Sequence, residues 1–363
     1  MPIKPNLMGL LGKLRDRSSE SSQDVEDLEG DKAILGTHGE SPEAGSPPVS
    51  SVSEAGAPPV LSSSGEPSTF ASKPWWKSDW WLLDPEGQSG DVSCDVGTVG
   101  DLAVAAASIR GNSHRLDATR CEDSFALSTG KTDDDAPFLV IAVGDGVGSA
   151  DYSSYGSKRA TYLLATKLAS RLTARGQLDY EIFATETEQL LQEVKVAIRG
   201  WRTDDYFAPA LPATDVSTAS LETTLTFAVV PATAEDGGIR DVFIGFVGDS
   251  PLFKLSDGTW RRIPDVADED LLDPTTAGLH SGKVAVLKCK LSDDEVLVLT
   301  TDGIGNFVTR GDQMLEVGGH LAEFLKTPVT AHAFVTELMF DFVSADDDRT
   351  AVVCWPNRQQ HSA

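Results

Sequence analysis

The sequence predicts an α+β fold. Runs of β-branched and large apolar residues, typical of buried strands, stand on both sides of a helical block. That block, residues 152–175 and 180 to about 206, carries apolar residues at three- and four-residue spacing. Two shorter helices are expected around 313–325 and 331–343, before a final strand. Strands, a helix pair, more strands and then helices form an order that supports α+β.

The strands follow from their apolar runs and from the residues that bound them. The first core strand is expected at 101–109, and 256–258 is a hairpin turn signal. Residues 259–287 are turn-rich and acidic, which predicts a mobile surface flap. The other strands are predicted at 124–127, 138–144, 223–230, 241–255, 295–300 and 351–355.

The composition bounds the class of protein. At 363 residues, 40% of them hydrophobic, the chain has room for one large domain plus extras, or for two small domains. The formal net charge of −26 argues against a nucleic-acid binder, which needs a basic footprint. The cysteines Cys94, Cys121, Cys289 and Cys354 have no CxxC spacing, so neither a zinc site nor a disulfide framework is indicated.

The N-terminal region differs from the rest of the chain. Residues 18 to about 73 are dominated by Ser, Glu, Pro, Gly and Ala, and 1–73 are predicted to form a disordered arm with a short apolar patch at 7–14. The patch could dock on a partner or a membrane surface, or be simply an apolar tail. Segment 74–99 holds four tryptophans in seven residues, expected to pack on the domain, with an aromatic ligand platform as the alternative. The domain is expected at 100–357, followed by a tail at 358–363.

The sequence carries no clear address for a membrane or for secretion. No apolar run approaches membrane-spanning length. Residues 1–17 have only a short, broken apolar segment and no small-residue cleavage site, so they form a poor signal peptide. A cytoplasmic protein is therefore expected.

One carboxylate stands where a buried strand ends. The apolar run that starts at Phe138 stops at Asp145, which Gly146 follows. A carboxylate at the mouth of a buried strand is costly unless a cation compensates it. The adjacent glycine lets its backbone carbonyl come close to that cation. The alternative is a turn in which Asp145 only caps the following helix.

The same arrangement recurs at three other strand ends. Asp302 follows an apolar strand, the acids of 346–348 precede another, and Glu122 and Asp123 stand at the start of a third. These segments contain too few Lys or Arg to balance the acids, so convergence on a divalent metal is expected. Oxygen ligands with few histidines favour Mg²⁺ or Mn²⁺ over zinc.

In this order, the segments resemble the metal-dependent serine/threonine protein phosphatases of the 2C type, the PPM family, and the approach 111–125 is most similar to its bacterial branch. The resemblance covers roughly residues 100–356. It implies an αββα sandwich of two antiparallel β-sheets flanked by helices. The motifs that carry it are Glu122-Asp123, Asp145-Gly146-Val147-Gly148-Ser149, Gly248-Asp249-Ser250, Thr301-Asp302-Gly303 and Asp347-Asp348-Arg349-Thr350.

The resemblance implies two ions, Mg²⁺ or Mn²⁺, bridged by Asp145. Asp302 and Asp347 would join Asp145 at one metal. Glu122 and the Gly146 carbonyl would complete the other. Water held between two such cations can attack the phosphate, so no serine or cysteine nucleophile is required.

Other positions carry no direct metal bond in this interpretation. Asp123 is expected to act through water. Many relatives outside the bacteria have a histidine, a proposed general acid, where this chain has Val147. His114 is near the catalytic segments, and a structural role is favoured over proton transfer.

A third metal is in doubt. The family's aspartate for that ion would fall at Ala219 in this chain, and Asp215 is only a distant candidate. Asp249 is expected to serve the fold by capping the turn after its strand.

The phosphate anchor has two candidates. The family usually places an arginine four residues before the first metal acid, and that position is Ala118 here. If the approach to Glu122 is extended, Arg120 shares a face with Glu122 and Arg115 points the other way. A guanidinium there can hold two phosphate oxygens, so Arg120 is predicted as the anchor. The alternative is a surface arginine with no role.

The expected function is hydrolysis of phosphoserine and phosphothreonine in proteins, opposing a protein kinase. The alternative is a catalytically weak adaptor that binds a phosphoprotein partner. A third possibility keeps the fold but changes the substrate, for instance to a phosphorylated anti-sigma-type regulator. The complete set of carboxylates favours an enzyme, because a pure binder has no need of them.

Overall fold

The computed structural model describes residues 91–199, 217, 219–235, 237–264, 278–280, 282–342 and 344–356. The chain divides into two units, Met1–Pro58 and Pro59–Ala363, and every described residue belongs to the second. The predicted disordered arm, the four clustered tryptophans, the tail at 358–363 and Asp215 lie outside the described residues. What the sequence predicts for them stays a prediction.

Two large antiparallel β-sheets form the centre of the described part of the chain. The strands are β1 (Val92–Val99), β2 (Leu102–Ile109), β3 (Ser124–Lys131), β4 (Pro137–Gly144), β5 (Leu225–Pro231), β6 (Ile239–Val247), β7 (Leu252–Ser256), β8 (Thr259–Ile263), β9 (Ala285–Ser292), β10 (Val296–Thr300), β11 (Thr309–Arg310), β12 (Gln313–Met314) and β13 (Arg349–Trp355). One sheet has the order β1-β2-β13-β10-β7-β8 and the other β3-β4-β5-β6-β9, while β11 pairs only with β12.

The α-helices lie between these strands along the chain. Among the described residues they are α1 (Asn112–Leu116), α2 (Ser153–Arg175), α3 (Tyr180–Arg199), α4 (Asp302–Val308), α5 (Glu316–Phe324) and α6 (Ala331–Leu338). α2 ends at Gly176, whose φ of 71° is the left-handed conformation that glycine adopts without strain. None of the helices in the described ranges is both long and apolar enough to cross a membrane.

Apolar side chains pack in three layers. Leu139 and Ile141 of β4 face the six-stranded sheet and pack in one cluster with Val352 of β13. Phe138 and Val140, one residue out of phase, face the opposite way into the layer under α2 and α3. A third layer joins the six-stranded sheet to α4, α5 and α6. Helices therefore cover the outer faces of both sheets, and the predicted αββα sandwich is confirmed.

The six-stranded sheet begins earlier than the sequence predicts. β1 lies before the domain start expected at 100 and pairs with β2 from Val92↔Ile109 to Val99↔Leu102. Most β1 side chains are exposed, so they give no apolar alternation that would mark a strand. β2 is buried throughout and is the core strand expected at 101–109.

Two element predictions need correction. The flap expected at 259–287 is a strand at both ends, β8 and the start of β9, and residues 265–277 and 281 lie outside the described residues. Trp260 of β8 is buried, and its Nε1 donates to the Gly318 carbonyl at 2.7 Å, which ties this strand to α5. The helix expected at 313–325 begins only at Glu316, because 313–314 pairs as β12.

Candidate metal and phosphate site

The five-stranded sheet places two of the predicted acids side by side. β3 and β4 pair with Ser124 opposite Gly144, so Glu122, just before β3, and Asp145, just after β4, lie at the same end of the sheet. The Asp145 backbone is fixed on both sides by Thr224. Its carbonyl accepts from the Thr224 amide at 2.7 Å, and its amide donates to the Thr224 hydroxyl at 3.2 Å.

The six-stranded sheet contributes the other two in the same way. β10 and β13 pair with Thr300 opposite Ala351, so Asp302 follows one strand and Asp347 precedes its neighbour. The amide of Thr301 donates to the Thr350 carbonyl at 3.0 Å, which extends the ladder to the point where the acids emerge. Antiparallel pairing thus brings a strand end and a strand start together in each sheet.

A cavity of about 320 Å³ lies where these strand ends meet. The predicted metal residues that line it are Glu122, Asp145, Gly146, Asp302 and Asp347. The rest of its described lining is His114, Val147, Gly148, Thr224 and Asp249.

Of Asp123 and Asp249, only Asp249 lines the cavity. Asp123 is buried and does not line the cavity; its Oδ2 accepts from the Thr301 hydroxyl at 2.7 Å, which links the two sheets. Asp249 was expected to serve the fold alone, but it lines the cavity, and its charge helps to raise the pKa of Asp145. This correction follows from the crossing between β6 and β7, which carries Asp249 from one sheet to the other.

The clustered carboxylates raise one another's pKa values. Burial raises the pKa of Asp145 well above its usual range, and the charges of nearby carboxylates raise it further. Burial is also the first cause of the raised pKa of Glu122, Asp302 and Asp347. Interaction with the Asp145 side chain lowers the pKa of Asp302, but burial and the charge of Asp347 raise it. Such a group of acids favours either bound protons or a bound cation.

The donors fit a hard divalent cation. All the charged groups that line the cavity, apart from His114, are carboxylates, the ligands that Mg²⁺ and Mn²⁺ prefer. A Cβ at Gly146 would lie 2.8 Å from the Glu122 carbonyl oxygen, so only glycine allows this close approach. Among the described residues, no three His, Cys, Asp or Glu side chains already form a ready metal group. The fit therefore rests on donor chemistry and on shared charge.

His114 and its partner Asp348 were not predicted as site residues. His114 belongs to α1 and lines the cavity, and its Nδ1 lies 2.8 Å from Oδ1 of Asp348. Burial lowers the pKa of His114, but the contact with Asp348 and the surrounding acids outweigh it and raise the pKa to about 9. The only sequence signal was proximity to the acidic motif. His114 lines the cavity because residues 112–116 are helical, whereas an extended chain had been assumed there from the sequence.

The arginines do not lie on an extended approach. Arg115 is in α1, and Ala118 has a φ of 52°, so the alternation assumed between Arg115 and Glu122 is wrong. Arg115 is buried, with its Nε 3.5 Å from Asp91. Arg120 is not part of the cavity lining; its guanidinium lies over the Tyr155 ring at 4.7 Å.

Residues 110–339, more than half of the chain, match the sequence model of a family described as Protein phosphatase 2C. The chain belongs to the protein phosphatase 2C family. The predicted family and enzyme class, a phosphoprotein phosphatase, are confirmed. The match begins at the residue before Gly111 and includes α1, so this phosphatase carries His114 within its family domain.

Solved structures of bacterial phosphatases resemble this one at low identity. The serine/threonine phosphatase PstP/Ppp of Mycobacterium tuberculosis is 17% identical, over 70% of this chain and 99% of that chain, with a TM-score of 0.43. PppA, a key regulatory component of T6SS in Pseudomonas aeruginosa, is 18% identical over 73% and 100%, with a TM-score of 0.42. Stp1 from Staphylococcus aureus is 13% identical over 77% and 98%, with a TM-score of 0.39. A search of curated proteins gives no match.

Proposed function

We propose that this protein hydrolyses phosphoserine and phosphothreonine in proteins, with two divalent cations, Mg²⁺ or Mn²⁺, at the carboxylate cavity. The observation that carries the proposal is the meeting of acids from both sheets in one cavity, with the raised pKa values of a group that favours a cation. Bound cations would acidify a water molecule and neutralise the phosphoryl oxygens.

Asp145 is proposed to stand between the two cations. Burial and the charges of its carboxylate neighbours raise its pKa well above the usual range, and Thr223 and Thr224 fix its backbone carbonyl. Asp302 and Asp347 are proposed on one side. Glu122 and the Gly146 carbonyl are proposed on the other.

Two further residues are proposed to act around this group. Asp123 would hold water that contacts a cation, since its carboxylate lies behind the cavity and is oriented by Thr301. Arg120 is proposed as the phosphate anchor. Its guanidinium lies over the Tyr155 ring, which limits its movement, and Arg120 precedes Glu122 by two residues in the chain.

The partners follow from the chemistry. The substrate is proposed to be a phosphorylated protein and the opposing enzyme a serine/threonine kinase. The N-terminal arm, which precedes β1, is proposed to dock a protein partner.

Hydrolysis of p-nitrophenyl phosphate and of a phosphothreonine peptide tests the proposal. Both reactions are expected to require added Mn²⁺ or Mg²⁺ and to stop in excess EDTA. Restoration by Mn²⁺ after EDTA treatment is the control for irreversible damage. Full turnover in EDTA would exclude the two-cation mechanism, and no turnover with either metal would exclude the activity.

A further inference from the structure

His114 is held in place at its backbone. The guanidinium of buried Arg110 donates to the His114 carbonyl at 2.9 Å, and the Thr119 amide donates to the same carbonyl at 2.9 Å. Next to it, the Ser113 amide and hydroxyl both donate to the Asp346 carbonyl, at 2.9 and 2.8 Å. α1 is therefore fixed against the segment that leads into β13.

Asp348 is the point where three parts of the site meet. Its Oδ1 accepts from the Gly111 amide and its Oδ2 from the Glu122 amide, each at 2.5 Å. The same Oδ1 lies 2.8 Å from Nδ1 of His114. Asp348 is only 2% exposed and does not line the cavity. Its carboxylate approaches Nδ1 of His114 from outside the cavity, at an angle that is poor for a hydrogen bond, and Nε2 is the ring nitrogen that Asp348 does not contact.

His114 is chemically different from the rest of the wall. Of the described residues that line the cavity, it alone carries a nitrogen in its side chain. The other charged groups there are Glu122, Asp145, Asp249, Asp302 and Asp347, which repel a phosphate ester. A phosphoryl oxygen that enters the cavity finds a side-chain N–H only at His114.

We propose that His114 is a substrate-binding residue, that its Nε2 donates a hydrogen bond to a phosphoryl oxygen, and that Asp348 is its positioning residue. The proposal rests on the phosphatase function proposed above and extends it to a phosphate contact besides the cations. The contact of Nδ1 with the buried Asp348 carboxylate favours the imidazolium, which carries a proton on both nitrogens. A purely structural role would need only the Nδ1 contact with Asp348.

Two amide substitutions separate the two nitrogens. His114→Asn places its amide near Nδ1 and keeps a partner for Asp348, whereas His114→Gln extends its amide toward Nε2. We expect His114→Asn to lose about 10- to 100-fold in kcat/KM for a phosphothreonine peptide, mainly through KM, as for a lost hydrogen bond to a charged group. His114→Gln should lose less. The exposed His332, changed to Gln, is the matched control and should change nothing.

Metal activation and folding are measured in parallel. The Mn²⁺ concentration for half-maximal activity and the Tm should stay near the wild-type values in both variants. A shift in Mn²⁺ activation with KM unchanged would instead place His114 at a cation. A loss in His114→Gln that exceeds the loss in His114→Asn would show that only the Asp348 contact matters. Unchanged kinetics in both would exclude the contact.

A binding measurement separates this proposal from the proposed activity. Inorganic phosphate with Mg²⁺ should bind to the wild-type protein in calorimetry, and more weakly to His114→Asn. The same mixture should slow hydrogen–deuterium exchange at C2 of the His114 ring in the wild-type chain, mapped by mass spectrometry, which needs no variant to fold. Protection without hydrolysis would uphold the contact and overturn the activity. Hydrolysis without protection would overturn the contact alone.

Discussion

Asp145 is held close to other carboxylates, and this is unfavourable for its charged form when no cation is bound. Its backbone is fixed by Thr223 and Thr224, so the side chain cannot leave the other acids, whose charges and burial raise its pKa. Replacement by Asn removes one charge from this group and keeps the shape. The effect on the metal-free protein and the effect on the metal-bound protein should therefore have opposite signs.

We predict that Asp145→Asn loses more activity than the roughly 10- to 100-fold typical of outer-shell partners of a metal. The Tm of the metal-free variant should equal or exceed that of the wild type, since repulsion is relieved. Mn²⁺-dependent turnover and metal-free thermal melts measure the two effects. Asp312→Asn, at an exposed position, is the control. Near-wild-type turnover would show that Asp145 does not serve both cations.

Arg120 provides a second test at the same scale. Arg120→Ala should raise KM for a phosphopeptide by about tenfold, because a charge-assisted hydrogen bond is lost at a partly exposed site. The Mn²⁺ requirement should hardly change. Arg310→Ala, at an exposed position, is a better control than a change at Arg115, which is buried beside Asp91. An unchanged KM would exclude Arg120 as the phosphate anchor.

Individual site residues were predictable where they end a strand. Asp145 and Asp302 directly follow apolar runs, so their placement depends on local pattern alone. The contact between His114 and Asp348 requires a short helix to meet a loop that is distant in sequence, since the two residues are 234 positions apart. Periodicity carries no information on such a contact.

At the scale of elements, α1 and the segment before β13 are packed backbone to backbone. A Cβ added at Gly111 would overlap the backbone of Asp346 and Asp347. The Gly111 amide also donates to Asp348. This glycine is required for close approach, since its φ of −67° is open to any residue.

We predict that Gly111→Ala destabilises the protein by about 1–3 kcal/mol, as for other forced overpacking. It should also raise KM and the Mn²⁺ requirement together, because Asp347 and His114 move apart. Gly97→Ala on β1, where an added Cβ meets nothing within 4 Å, is the matched control. Urea unfolding and Mn²⁺ titration of activity measure both changes. A stable variant with normal kinetics would show that α1 can shift without affecting the site.

Elements with a strong apolar pattern were predictable and weakly patterned ones were not. The strands β4 and β10 and the helix α2 match their expected positions. β1 has exposed side chains and β8 has alternating exposed and buried ones among charged residues, so composition alone suggested surface. Their place is set by the neighbouring strands β2 and β7, which is a tertiary effect.

At the scale of the whole molecule, the acids and His114 link stability to pH. Carboxyl groups with raised pKa stabilise the metal-free fold at low pH, and this contribution is lost as the pH rises through their raised values. His114 acts in the same direction, with its contribution complete below 6.5 and lost as the pH rises through about 9. Cation binding requires deprotonated carboxylates, so the affinity for the cations increases as the pH rises.

We predict that the Tm of the metal-free protein falls as the pH rises from about 5 to about 9. The rise in Tm caused by Mg²⁺ should grow over the same range. Melts in EDTA and in Mg²⁺ at each pH measure both. Asp145→Asn controls for the general repulsion of a chain with net charge −26, and should flatten the difference between the two curves. An Mg²⁺ effect that shrinks as the pH rises would contradict the carboxylate site.

The fold class was predictable from order and pattern, but the assignment of strands to sheets was not. β6 and β7 are consecutive in the chain, yet they belong to different sheets, as do β9 and β10. Nothing in the apolar runs marks these crossings. The sandwich was predicted only from the resemblance to a family. Both faces of β4 pack in apolar layers, which explains why such strands show no alternation of apolar and polar residues.

The pairing of sheets at the cavity has a kinetic consequence. Glu122 and Asp145 stand on one sheet and Asp302 and Asp347 on the other, so the cation group is complete only after the two sheets have docked. We expect the sheets to dock after the folding transition state, so that the cations add no stability to that state. Mg²⁺ should therefore slow unfolding while refolding keeps its rate. In a cell, a metal-loaded molecule would then outlast a metal-free one chiefly because it opens less often.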